Sequence, residues 1–221
     1  MYEKIKSLAK QYYPETVAIR RDLHKYPEQG WLEMRTASLV AKKLEKLGYQ
    51  VLIGKEIMCE EYRMGVPDQE ILESNYQRAI SQGADPYYIK KVKDGFTAVA
   101  GILKNGSGPV VAIRFDMDAL CIEEDDSINH NPGKFGFISC NQGTMHACGH
   151  DGHVAIGLTV AKILSNIKDS IQGTIKLIFQ PAEEGVRGAK SICKSGILKD
   201  VDYIFAGHIW QQEANEDYDI Y

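Results

Sequence analysis

HVAIGLTVAKILSNIK (residues 153–168) followed by TIKLIFQ (174–180) decides the fold class of this chain. The first segment is apolar-rich over several turns and carries no proline, the pattern of a helix with a broad buried face. The second is a short, mostly apolar run stopped by Pro181, the pattern of a buried strand. Upstream, PVVAIRFDM (109–117) reads as a strand. Downstream, GAKSICKSGIL (188–198) reads as a helix and VDYIFAGH (201–208) as a strand. Strand, helix, strand, helix, strand implies parallel strands with crossovers in an α/β layered fold.

Further outward the pattern continues. FTAVAGILK (96–104) is a strand, and NGSG (105–108) predicts a hairpin-type turn joining it to 109–117. YQVLIG (49–54) is a short strand. TASLVAKKLEKLGYQV (36–51) has apolar residues at helical spacing, with Gly48 where a helix would end. VAIRRDLHKYPEQG (17–30) predicts another helix, stopped near Pro27. Residues 57–94 are polar, with Gly, Pro and acids, and read as a helical insertion between two strands.

The chain has 221 residues, 44% hydrophobic and 25% charged, enough for one good core and a small second lobe. A net charge of −4 gives no reason to expect nucleic acid or an anionic membrane as partner. No apolar run approaches the roughly 18 residues of a membrane span. The opening MYEKIKSLAKQYYPE holds no apolar signal core, so no secretory signal is expected there. Five Cys without a small-scaffold spacing fit free thiols in a reducing cytosol.

In open α/β sheets ligands bind beyond the carboxyl ends of the strands. Asp116 and Asp118 follow one strand, Glu183 and Glu184 the next, and His208 the third. MHACGHDGH (145–153), holding three of the six His and one of the five Cys, sits just before the long helix. Four segments thus deliver acid, thiol or imidazole groups to one edge. Cys148 and His150 from a tight loop suit zinc, and added carboxylates suit manganese. Two other readings stay open on the residues alone: a Cys148 nucleophile paired with His150 or His153, and a buried structural Cys beside a hydrogen-bonded His. Of Glu183 and Glu184, adjacent residues after a strand point apart, so one can ligate while the other faces substrate. Asp116 and Asp118 could ligate, orient His150, or be neutralised by Arg114. Asp151 reads as a supporting or bridging group. His146 and His153 read as substrate contacts or solvated cap residues, His24 as structural, and His130 as without a role. Cys59, Cys121, Cys140 and Cys193 read as inert thiols.

RRDLHKYPEQGWLEMRTASLVAKKLEKLGY, RFDMDAL, MHACGHDGH, GTIKLIFQPAEEG and DYIFAGH, in that order, resemble the aminoacylase/carboxypeptidase-like metallopeptidase superfamily. The likeness falls in the branch of hippurate and auxin-conjugate hydrolases and runs nearly the whole chain to Ile209. It implies an α/β domain with a mixed, mainly parallel sheet and helices on both faces. It implies Cys148, His150, Glu184 and His208 as ligands of two divalent metals, manganese or zinc, and Glu183 as general base. The reaction implied is hydrolysis of the amide of an N-acyl or N-aroyl amino acid. The insertion 57–94, GWLEMRTASL and the long loop HNPGKFGFISCNQGTMHACGH resemble the aminobenzoyl-glutamate-cleaving members. That likeness implies release of p-aminobenzoate and glutamate, and assembly with a related B subunit or as a homo-oligomer. On the same likeness residues 1–209 are the first part of the catalytic domain and 210–221 a divergent tail. The lid domain and a further His ligand are expected elsewhere than in these residues, which leaves open a non-catalytic metal- or partner-binding fragment.

Overall fold

The computed structural model describes residues 1–127 and 129–209; the expected divergent tail, 210–221, lies outside them. In chain order the elements are α1 (Tyr2–Lys25), α2 (Met34–Lys46), β1 (Gln50–Ile53), α3 (Gln69–Ser81), β2 (Val99–Asn105), β3 (Val110–Asp116), α4 (Asn131–Phe135), α5 (His150–Asn166), β4 (Gly173–Gln180), α6 (Ala189–Ser195) and β5 (Tyr203–Ala206).

One mixed sheet runs β1-β2-β4-β3-β5. β3, β4 and β5 are mutually parallel, while β1 and β2 add antiparallel ladders on the other side. The two sides of β4 explain the layers. Ile175, Leu177 and Phe179 enter the core shared with α1, α2 and α5, whereas Ile178 packs with Ala98, Ala100 and Ile192 of α6. Helices therefore cover both faces, and the alternation of β4 is the period-two rule of a strand buried on both sides.

α2 buries Ala37, Val40, Ala41 and Leu44, an i, i+3, i+4, i+7 stripe. Its first amides are satisfied from outside the helix: the Glu28 carboxylate accepts the N–H of Arg35 at 3.0 Å and of Thr36 at 2.8 Å. Gly48 follows with φ +83, a left-handed turn that turns the chain into β1. α1 is longer than its sequence pattern predicts, taking in Pro14 as well as the expected 17–25. α5 lies flat on the sheet because Gly157 offers no side chain: a Cβ there would come 2.8 Å from Phe179 and 2.9 Å from Phe115.

The expected hairpin at NGSG does not form. β2 and β3 each pair with β4 and not with one another. The turn steps across two strand spacings, roughly 10 Å, and passes over the start of β4. There the Asn105 side chain donates to the carbonyls of Lys168 and Ile171, and Pro109 accepts from Thr174. β4, the most buried strand, takes the centre, and that burial outweighs the local turn signal. Between β1 and β2, residues 57–94 hold α3 and three short 3-10 turns, the last running on to Gly95. No described helix is long and apolar enough to cross a membrane.

Candidate metal centre

The parallel arrangement of β3, β4 and β5 brings their carboxyl ends to one edge, and α5 starts against it. Gly149, at φ +85, precedes α5 and lets Cys148 and His150 face the same space from consecutive turns. His150 is fully buried. Its Nδ1–H donates to the Asp118 carbonyl at 2.8 Å, which leaves the Nε2 lone pair free. That Nε2 lies 3.9 Å from both Glu183 Oε2 and Glu184 Oε1. His208 repeats the arrangement: its Nδ1–H donates to the Ile209 carbonyl at 2.6 Å, and its Nε2 faces Cys148 Sγ at 3.4 Å.

Cys148, His150 and His208, and likewise His150, Glu183 and Glu184, offer donor atoms within 4.8 Å of one another. The structure thus brings together all five residues singled out in the sequence. Their orientation differs from expectation in one respect. Glu183 and Glu184 do not point apart, since both approach His150. Ala182 has φ +49, so the chain has left extended geometry before the pair and strand alternation no longer applies.

Asp118 is buried and accepts the N–H groups of Glu183 and Glu184, both at 2.9 Å. Burial alone would raise its pKa, but the His150 ring and these two amides outweigh it and hold the carboxyl below its ordinary value. Asp118 therefore orients both His150 and the Glu pair. Asp116 pairs with Arg114 and lies 3.4 Å from His153 Nδ1. His153 accepts the Ile209 N–H on Nε2 at 2.9 Å, so its proton sits on Nδ1, towards Asp116. Asp151 faces away from the cluster, and its carboxylate accepts from His24, Arg20 and the Gly152 amide. It is not a bridging group. His146 and His153 are buried, not solvated cap residues. Burial drops the His146 pKa to about 4, against the opposing charge of Asp151.

Among the described residues, two buried polar atoms that face one another have no hydrogen-bond partner: His150 Nε2 and Glu184 Oε1. Buried polar atoms are normally paired, and bare nitrogen and oxygen lone pairs beside a Cys–His contact form a donor set that suits a divalent cation. The thiol argues the same way. Burial and the carboxylates of Glu184, Glu183 and Asp116 push the Cys148 pKa up to about 12. A catalytic thiol needs the opposite, an electropositive setting that lowers its pKa, so the field fits a cation ligand and not a free nucleophile.

Buried carboxylates and imidazoles at the carboxyl edge of such a sheet define a candidate metal centre. Residues 112–220 match the model of peptidase family M20/M25/M40. The chain is 47% identical over 208 residues to the A subunit of p-aminobenzoyl-glutamate hydrolase from Escherichia coli (strain K12), 94% of this chain and 48% of that protein. It is 49% identical over 201 residues to indole-3-acetyl-aspartic acid hydrolase of Enterobacter agglomerans, 90% of this chain and 46% of that one. The chain thus spans about half the length of the curated relatives it matches. Among solved structures, the aminobenzoyl-glutamate utilization protein from Klebsiella pneumoniae superposes with a TM-score of 0.79 at 39% identity, over 94% of this chain and 46% of that chain. A dinuclear metal binding peptidase from Bacillus subtilis superposes with a TM-score of 0.66 at 30% identity, over 90% and 44%.

Proposed function

We propose that this chain carries the first part of a metal-dependent amidohydrolase that cleaves N-acyl or N-aroyl amino acids, p-aminobenzoyl-glutamate foremost. The observation that carries the reading is the set of buried, unpartnered donor atoms around His150 Nε2. Cys148, His150, Glu184 and His208 would hold the divalent ions, manganese or zinc, two in the complete site. When bound, such ions acidify water and polarise the amide carbonyl.

Glu183 is the general base: its side chain is 35% exposed, so it reaches both solvent and the donor cluster. It takes a proton from the attacking water and returns it to the departing amine nitrogen. Asp118 fixes Glu183 through its amide. Hydrolysis of p-aminobenzoyl-glutamate would give p-aminobenzoate and glutamate. The relative is named as one subunit of its hydrolase, which supports assembly of this chain with a related B subunit.

The test is metal content per chain after gel filtration, together with turnover of p-aminobenzoyl-glutamate and indole-3-acetyl-aspartate. Activity lost to a chelator and restored by manganese, with the aminobenzoyl substrate preferred, is the expected result. Because a further His ligand is expected outside these residues, at most one ion should bind tightly to this chain and turnover should be weak. Two tightly held ions with fast turnover would sink that part of the reading.

One observation favours a second reading, a fragment that docks on another polypeptide. All four residues of β5, the edge strand, are exposed, including Tyr203, Ile204 and Phe205. A metal-binding chain that stays inactive under every metal tried, yet gains activity when mixed with a longer relative, would favour it.

A further inference from the structure

The loop that presents Glu183 and Glu184 is closed around one residue. The Ala182 carbonyl accepts the N–H groups of Arg187, at 3.1 Å, and Gly188, at 3.0 Å. Gly188 leaves no room to open this turn, since a Cβ there would overlap the Pro181 carbonyl. Ala182 itself adopts φ +49, a conformation that costs a non-glycine residue energy and persists only where its surroundings enforce it. The remaining polar group of Ala182, its N–H, donates at 2.8 Å to Glu33 Oε1.

Glu33 lies at the start of α2, far from this loop in sequence, and is fully buried. Its other oxygen accepts the hydroxyl of Thr97, also fully buried, at 2.7 Å. Three consecutive amides, those of residues 182, 183 and 184, thus end on two buried carboxyl groups, Glu33 and Asp118. Only Asp118 touches the donor cluster. We infer that Glu33 is a positioning residue: by holding the Ala182 amide it fixes the left-handed turn that swings both Glu183 and Glu184 towards His150. This rests on the reading of the cluster as a metal centre. Burial, reinforced by the charge of Asp118, raises the Glu33 pKa well above its ordinary value, so a neutral amide in its place keeps both contacts.

The test compares Glu33→Gln with Glu33→Leu in the full chain. Gln retains an oxygen for the Ala182 amide and offers an N–H to Thr97, while Leu fills the space with neither. Two readouts serve: amide hydrogen exchange of the peptide covering 181–188, taken without metal and referenced to peptides of α5 and β4, and affinity for Co²⁺ alone. The expected result for Glu33→Leu is about tenfold faster exchange confined to 181–188 and about tenfold weaker Co²⁺ binding, the scale of one buried hydrogen bond. Glu33→Gln should match the unmodified chain in both. Unchanged exchange at 181–188 in Glu33→Leu would overturn the inference, as would acceleration spread evenly over the reference peptides. If the unmodified chain binds no Co²⁺ but the exchange pattern appears, the role of Glu33 in holding the loop stands and the metal reading falls.

Discussion

Two buried polar clusters meet at the peptide bond between His150 and Asp151, and they are built on opposite terms. On one side, His24 bridges Asp151 and Glu124 at 2.8 Å each, Arg20 adds to Asp151, and His130 and the Ser139 amide complete Glu124. Each of these contacts closes a hydrogen bond. On the other side, among the described residues, His150 and Glu184 each keep a buried atom without a hydrogen-bond partner. Both clusters combine imidazole and carboxylate, so composition does not tell them apart. Satisfaction does: a completed network locks the helices together, and an incomplete one is shaped for something added later.

The sharpest way to break this comparison is to remove His24. His24→Ala takes one hydrogen bond from Asp151 and one from Glu124 while their other partners remain, and the expected loss is about 3–5 kcal/mol in urea unfolding, the scale of two buried hydrogen bonds to charged groups. A loss below about 1 kcal/mol would mean that the network is not what joins α1 to α5. Glu184→Gln attacks the other side. It should weaken Co²⁺ binding about 100-fold, roughly 2.7 kcal/mol, measured by calorimetric titration. Unfolding free energy should stay the same or rise, because Glu184 and Glu183 crowd two carboxylates against His150.

Acidity gives a finer contrast. Burial opposes charge on His24, but its bonds to Asp151 and Glu124 prevail and raise its pKa. A raised imidazole stabilises the fold fully below its unfolded value and stops doing so as pH rises through its folded value. Burial likewise opposes charge on Asp151 and Glu124, yet the bonds to His24 and their other partners hold both carboxyls below their ordinary values. Their contribution exists above those values and is lost as pH falls through the folded ones. The melting-temperature gap between the unmodified chain and His24→Gln should therefore be wider at about pH 5.5 than at about pH 8. A gap that widens with rising pH would contradict the assignment. The smallest effect belongs to the exposed pair Lys162–Glu15, at 2.5 Å on the outer side of the same two helices. Lys162→Ala should cost about 0–1 kcal/mol and lose even that in high salt.

Much of this was legible in the sequence where a pattern and its physical cause coincide. The 37, 40, 41, 44 stripe of α2 and the apolar run of β4 follow from periodicity. The meeting of Cys148, His150, the Glu pair and His208 follows from the rule that parallel strands end at one edge. What escaped depends on tertiary choices with no local mark. NGSG reads as a hairpin because nothing nearby says that residues 173–180 will separate its two strands. Ala182 carries no sign of a positive φ, so the Glu pair could not be seen to converge. His24 and Glu33 sit in helix-forming stretches whose partners lie 64 to 149 residues away. A charged residue inside the otherwise apolar GWLEM is the one trace that Glu33 leaves.

The turn that passes over β4 also bears on how the chain reaches its shape. β2 and β3 are made early, but neither has a neighbour on its inner side until residues 173–180 arrive to slide between them. During synthesis both strands therefore present bare backbone edges while the lengthening chain waits for its central strand. Pairing at such long range slows folding and leaves the edges open to other chains. Material arrested before residue 173 should be markedly more prone to aggregate than material that includes β4.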